Sequence, residues 1–107
     1  MLGGAAFQKC ERLRRVTFRD GSQLERIGRI CFNYSGIEEL VIPQSLKRID
    51  AGAFQDCENL KRAVLNEGLT QLGEEDYSGV FKFSGLESVV LPSTLTRLEG
   101  STFGWCE

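Results

Sequence analysis

Residues 32–54, FNYSGIEELVIPQSLKRIDAGAF, lie over residues 81–103, FKFSGLESVVLPSTLTRLEGSTF, without a gap. Phe32 and Phe81 open the two stretches, Ser35-Gly36 falls on Ser84-Gly85, and Pro43 falls on Pro92. Leu46 and Ile49 correspond to Leu95 and Leu98. A chain that repeats itself at this interval has few options, because one such unit cannot bury its own apolar face. Like units must stack so that a continuous core forms between neighbours.

The rest of the chain carries the same pattern, stretched. Phe7 to Phe32 takes 25 residues and Phe54 to Phe81 takes 27, against 22 for Phe32 to Phe54. The extra residues fall in RDGSQL and in GEEDYSGVF. Tyr77 competes with Phe81 for the phenylalanine slot, and the match of FKFSGL to FNYSGI favours Phe81. Fragments stand at both ends: LGGAAF has the tail of a unit, and FGWCE has the beginning of another. The expectation is one domain over residues 1–107, with four complete units of 22–27 residues and partial units at both ends. Odd units carry Phe-x-x-Cys and even units Phe-x-x-Ser-Gly, so the true period is a doublet.

Each unit contains one short alternating stretch: Val16 and Phe18, Leu40 and Ile42, Ala63 and Leu65, Val89 and Leu91. Period-two alternation in β-branched company predicts a short strand with these residues inward. Pro43, Pro92, Asp20-Gly21 and Glu67-Gly68 then turn the chain. A second extended piece follows, with Leu24 and Ile27, or Leu46 and Ile49, pointing inward. Small residues before each Phe (GGAAF, DAGAF, EGSTF) predict a tight turn or a single helical turn. The sum is a parallel solenoid with one strand per unit and neighbouring strands about 4.8 Å apart.

The chain resembles the BspA-type leucine-rich repeats. IEELVIPQSLKRIDAGAFQDC, residues 37–57, follows the family word almost throughout, and LESVVLPSTLTRLEGSTFGWC, residues 86–106, nearly as well. Ala63 departs from it, standing where a larger aliphatic residue is usual. The resemblance implies a right-handed leucine-rich-repeat coil, with a parallel sheet of short strands on one side and short turns or helical turns on the other. It also implies an adhesion or recognition role, with a cell-surface or extracellular location.

Four cysteines would be the first suspects for chemistry. Zinc sites favour close Cys pairs or histidine partners, but Cys10, Cys31, Cys57 and Cys106 are far apart in sequence and the chain has no histidine. Cys10, Cys57 and Cys106 occupy equivalent slots two turns apart. That separation is about 9.6 Å, beyond the Cα spacing of about 7 Å that a disulfide tolerates. Cys31 stands where Ala6 and Ala53 stand in other units, and reads as a small buried residue; a disulfide through it is the alternative. Intermolecular oxidation at Cys106 is a further expectation, since nothing follows to bury it.

The strands also predict an outward panel. Arg15, Thr17 and Arg19 lie opposite Val16 and Phe18, followed in later units by Glu39 and Val41, then Arg62, Val64 and Asn66, then Ser88 and Val90. Thr17, Val41, Val64 and Val90 form a mostly apolar central stripe, the feature here most suggestive of a binding face. The acidic run Glu74-Glu75-Asp76, followed by Tyr77, reads as a solvated bulge, with cation or basic-partner binding as the alternative. A formal net charge of -2 and interrupted arginines give no reason to expect nucleic acid. No base–nucleophile pair, phosphate loop or metal set is recognisable, so neither catalysis nor a cofactor is expected.

No apolar run reaches the length of a membrane span, and MLGGAAFQKCERL lacks the basic head and apolar stretch of a signal peptide. The functional expectation is a protein-interaction or adhesion module with an unidentified protein partner. Its alternative is a structural spacer within a longer array. Ends without polar caps add the expectation of end-to-end self-association or of further units beyond this piece.

Overall fold

The computed structural model describes residues 3–4, 6–18, 21–73, 79–95 and 97–98. Seven strands follow in chain order: β1 (Arg26–Ile27), β2 (Glu39–Val41), β3 (Arg48–Ile49), β4 (Arg62–Val64), β5 (Gln71–Leu72), β6 (Ser88–Val90) and β7 (Arg97–Leu98). They form two separate parallel sheets, one in the order β2-β4-β6 and the other in the order β1-β3-β5-β7. Strands that are neighbours in a sheet are therefore one repeat apart in sequence, as stacking of like units requires.

The alternating stretches became the three-residue strands. Leu40 pairs with Ala63 and Ala63 with Val89, so the inward column anticipated from the sequence is in register. The first unit joins this sheet through a single parallel bridge, Arg15 to Glu39. The expectation of one strand per unit needs correction. The second extended piece of each unit pairs with its counterpart too, aligning Ile27, Ile49, Leu72 and Leu98 in a sheet of its own. Its strands are two residues long, too short for alternation to announce them.

Of the tight turn and the single helical turn expected before each Phe, the helical turn is not seen among the described residues. Tight turns stand there instead, closed by Cys31 N–H to Gly28 O at 3.3 Å and by Ala53 N–H to Asp50 O at 3.3 Å. The third residue of each is left-handed, Ile30 at φ 49° and Gly52 at φ 67°. That backbone matches a type II turn and cannot continue a helix. A second left-handed residue follows two positions after each Phe: Lys9, Tyr34, Asp56 and Phe83, all with φ of 60–62°. The chain thus turns twice around each phenylalanine. The amide two residues past the ring then bonds to the next unit, Lys9 N–H to Asn33 O at 2.7 Å and Tyr34 N–H to Gln55 O at 3.1 Å.

The phenylalanines form a column through the core. Ring centroids of Phe7 and Phe32, then of Phe32 and Phe54, lie 5.1 Å apart, and those of Phe54 and Phe81 lie 5.7 Å apart. Phe81 holds the slot that Tyr77 could have claimed. Phe32, Phe54 and Phe81 are fully buried, in one cluster with residues of both sheets, including Ile27, Leu40, Ile49 and Leu72. Ala63 is fully buried as well. Leu91 departs from expectation: its counterparts Ile42 and Leu65 are buried, but Leu91 is 45% exposed. Ile42 and Leu65 each bond through their amides to the following strand of the β2-β4-β6 sheet; among the described residues that sheet has no strand after β6.

Even units carry glycine after the serine for a steric reason. A Cβ on Gly36 would lie 2.2 Å from the Glu11 carbonyl oxygen, and one on Gly85 would lie 2.3 Å from that of Glu58.

Removing one ring of the column tests the register. Phe54→Ala should lower stability by about 3–5 kcal/mol, the usual loss for a large buried aromatic, measured by urea unfolding. A near-neutral change would place Phe54 outside the core.

Candidate partner-binding face

Parallel pairing of β2, β4 and β6 arranges their outward side chains in rows across the repeats. Arg15, Glu39, Arg62 and Ser88 are in register along one row. Val41, Val64 and Val90 are in register along the next, continued toward the first unit by Thr17. Arg15, Thr17, Glu39, Arg62 and Ser88 are exposed. Val41 is 47% and Val90 50% exposed, while Val64 between them is half-buried. Asn66 is also half-buried, and its side-chain amide donates to the Ile42 carbonyl, so it helps join two turns as well as bordering the face. Arg19 lies outside the described residues.

The other sheet treats its charges differently. Arg26 and Arg48 stand side by side in register, and like charges in neighbouring strands repel. Asp50 resolves this, accepting from Arg26 Nε at 2.7 Å through one carboxylate oxygen and from Arg48 Nε at 2.6 Å through the other. Its side chain is buried, while the arginines keep 41% and 34% exposure. Gln71, next in the row, donates to the carbonyl of Gly73 at 3.1 Å. On the β2-β4-β6 face, by contrast, the side chains of Arg15, Glu39, Arg62 and Ser88 make no hydrogen bond among the described residues. Their polar groups are left to solvent.

At the corner beyond the strands, Glu67 binds the following turn. Its carboxylate accepts from Ser93 N–H at 3.2 Å, from Ser93 Oγ at 3.0 Å and from Thr94 N–H at 3.3 Å. The Ser93 amide, then its hydroxyl, hold the carboxyl below its ordinary value of 4.5. Such bonds favour the charged form.

The cysteines are part of the frame. Cys57 is buried; its thiol donates to the Phe32 carbonyl at 3.1 Å and lies 3.5 Å from Ser35 Oγ. Cys31 is buried in the slot predicted for it. Burial pushes both thiols up, away from the reactive thiolate. Cys10, Cys31 and Cys57 are free thiols, so the alternative of a disulfide from Cys31 finds no partner among the described residues. Cys106 and the run Glu74-Glu75-Asp76 with Tyr77 lie outside them. Among the described residues, no three His, Cys, Asp or Glu side chains are grouped closely enough to hold a metal ion.

Sequence reasoning missed Asp50 and Glu67. Both act between units, Asp50 across 24 residues and Glu67 across 26, and neither has a motif. The signal available was stacking itself: once Arg26 and Arg48 are aligned, a nearby acid is required.

Two measurements probe these contacts. Asp50→Ala should cost about 1.5–3 kcal/mol, the range for hydrogen bonds to charged groups, read by urea unfolding; an unchanged midpoint would mean that water replaces the carboxylate fully. For Glu67, the folded state has the lower pKa, so its stabilising contribution is complete above 4.5 and is lost as pH falls through the depressed value. The difference in thermal midpoint between the parent and Glu67→Gln should be constant near neutrality and shrink as pH drops below 4.5. A pH-independent difference would remove the carboxylate from the account.

Among the described residues no helix is long and apolar enough to cross a membrane. None of the curated proteins matches the chain. The pattern of the BspA type leucine rich repeat region matches residues 1–107 as six copies, a span that takes in both sheets, the phenylalanine column and the exposed rows. The chain belongs to the BspA-type leucine-rich repeat family, whose repeats build protein-interaction modules.

Proposed function

We propose that residues 1–107 act as one non-enzymatic leucine-rich-repeat domain, a right-handed coil that holds the β2-β4-β6 face toward a protein partner in recognition or adhesion. The observation that carries this reading is the outward stripe of Thr17, Val41, Val64 and Val90, half-buried only at Val64, beside the exposed row of Arg15, Glu39, Arg62 and Ser88. Apolar side chains held in a rigid row at a sheet surface are what a partner can cover at little entropic cost. Arg19 and Asn66 would border the same face. The family points to a cell-surface or extracellular setting. The mixed charges of the row do not suit nucleic acid, and the reading needs neither cofactor nor metal.

A second reading rests on a different observation. Phe7 at one end of the aromatic column is 38% exposed, and Leu91 in the last described strand turn is 45% exposed. A unit stacked on either end would cover such residues, which favours end-to-end self-association or a spacer role within a longer array.

Val41→Lys and Val90→Lys separate the two. Wells coated with the parent chain should retain a binding protein from a panel of purified extracellular-matrix proteins. Each variant should weaken retention by at least about 2 kcal/mol, the threshold for a residue central to an interface, with an unchanged unfolding midpoint. Equal retention by parent and variants would remove this face and leave the spacer reading.

A further inference from the structure

We infer that the occupant of the β2-β4-β6 face is an amphipathic α-helix lying along the stack of repeats, across the strands, with an acidic–basic–acidic edge set against Arg15, Glu39 and Arg62. This rests on the proposed function and names the partner class for that same face.

The shape of the face sets the direction. Its strands are three residues long, only about 10 Å. A helix running along the strands, its common orientation on a larger sheet, would find barely two of its own turns supported. The long dimension lies across the strands, where Thr17, Val41, Val64 and Val90 follow one another.

Spacing then selects the helix. Successive repeats lie 5.1–5.7 Å apart at the phenylalanine column and about 4.8 Å apart at paired strands. A helix returns a side chain to the same face every 5.4 Å or so, which keeps it in step over four rows to within about 2 Å. An extended peptide presents same-face side chains about every 6.7 Å and slips by roughly one whole row over the same distance. The stripe residues are no larger than valine, leaving room for a continuous ridge of larger side chains. At one end, Arg15, Val16, Thr17, Phe18, Glu39 and Val41 line a shallow depression that can seat a bulky anchor.

Charge selects the edge. The row Arg15, Glu39, Arg62 alternates in sign and, among the described residues, makes no side-chain hydrogen bonds. On the other side of the stripe, Pro43 and Asn66 are uncharged, and Arg19 of the first unit lies outside the described residues. A helix that covers the valines displaces water from this charged row, and repulsion penalises the wrong order of charges. The matching order is acid, base, acid, one per helical turn.

The test uses a synthetic four-turn helical peptide with leucines along one ridge and Glu-Lys-Glu on the adjoining edge. Its counterpart carries Lys-Glu-Lys. Binding to the full chain is read by fluorescence titration and by shifts of the valine methyl resonances. The first peptide should bind with shifts at Val41, Val64 and Val90, and the second about tenfold more weakly. The preference should reverse on the chain carrying Arg15→Glu, Glu39→Lys and Arg62→Glu. Equal affinity of the two peptides, shifts elsewhere or no binding would overturn the helix inference. If the peptides fail while Val41→Lys still abolishes retention of a matrix protein, only the helix is wrong; if Val41→Lys and Val90→Lys change neither assay, the face itself is wrong.

Discussion

In-register parallel pairing from one repeat to the next is the constraint on which the other features depend. It sets every side chain beside its own counterpart, so each position of the repeat becomes a column. Columns of apolar residues are favourable, and the stacked rings of Phe7, Phe32, Phe54 and Phe81 show the consequence. Columns of like charge are not. The two sheets answer that problem in two ways: Asp50 bridges Arg26 and Arg48 on one, and signs alternate from Arg15 to Glu39 to Arg62 on the other. Thiols follow the same logic, since Cys10, Ser35, Cys57 and Ser84 share a column in which the hydroxyls hold the cysteines two units apart.

The doublet period has a steric origin as well. Odd units have two residues between the cysteine and the next core leucine, Glu11-Arg12 before Leu13 and Glu58-Asn59 before Leu60. Even units have one, Gly36 before Ile37 and Gly85 before Leu86. The longer connection brings the carbonyl of Glu11 or Glu58 to where a Cβ of the next unit would sit. Only glycine accepts that approach. Long and short connections therefore alternate along the stack, and the Ser-Gly word of the even units is the imprint of its neighbour's bulge.

Sequence reading succeeded where periodicity is physical. Leu40 and Ile42 alternate with Glu39 and Val41 because a pleated strand alternates, and the facing pairs in β2, β4 and β6 follow from that register. The second sheet was only half visible: Ile27 and Ile49 were placed inward, but two-residue strands carry no period to reveal their pairing. The second turn, just after each Phe, was not anticipated, because its left-handed position holds Lys9, Tyr34, Asp56 or Phe83 rather than glycine. Local preference there is overridden by inter-unit bonds such as Asp56 N–H to Lys82 O at 2.9 Å. Asp50 and Glu67 were invisible for a related reason. Arg26 for Asp50, and Ser93 and Thr94 for Glu67, are distant in sequence, and only the stack brings them together.

The contrast between the two sheets bears on which face can bind. Charges already satisfied within the frame, as at Asp50, offer a partner little, because competing for them breaks contacts that stabilise the fold. Charges held in fixed, exposed rows offer more, provided the partner replaces the hydration they lose. Valine burial alone would favour any apolar surface, at roughly 25 cal/mol for each Å² covered, and so could not discriminate. Covering Val41, Val64 and Val90 also desolvates Arg15, Glu39 and Arg62, and that cost falls on every partner lacking matched charges. Affinity on this face would then come from the valines, and selectivity from the charged row beside them.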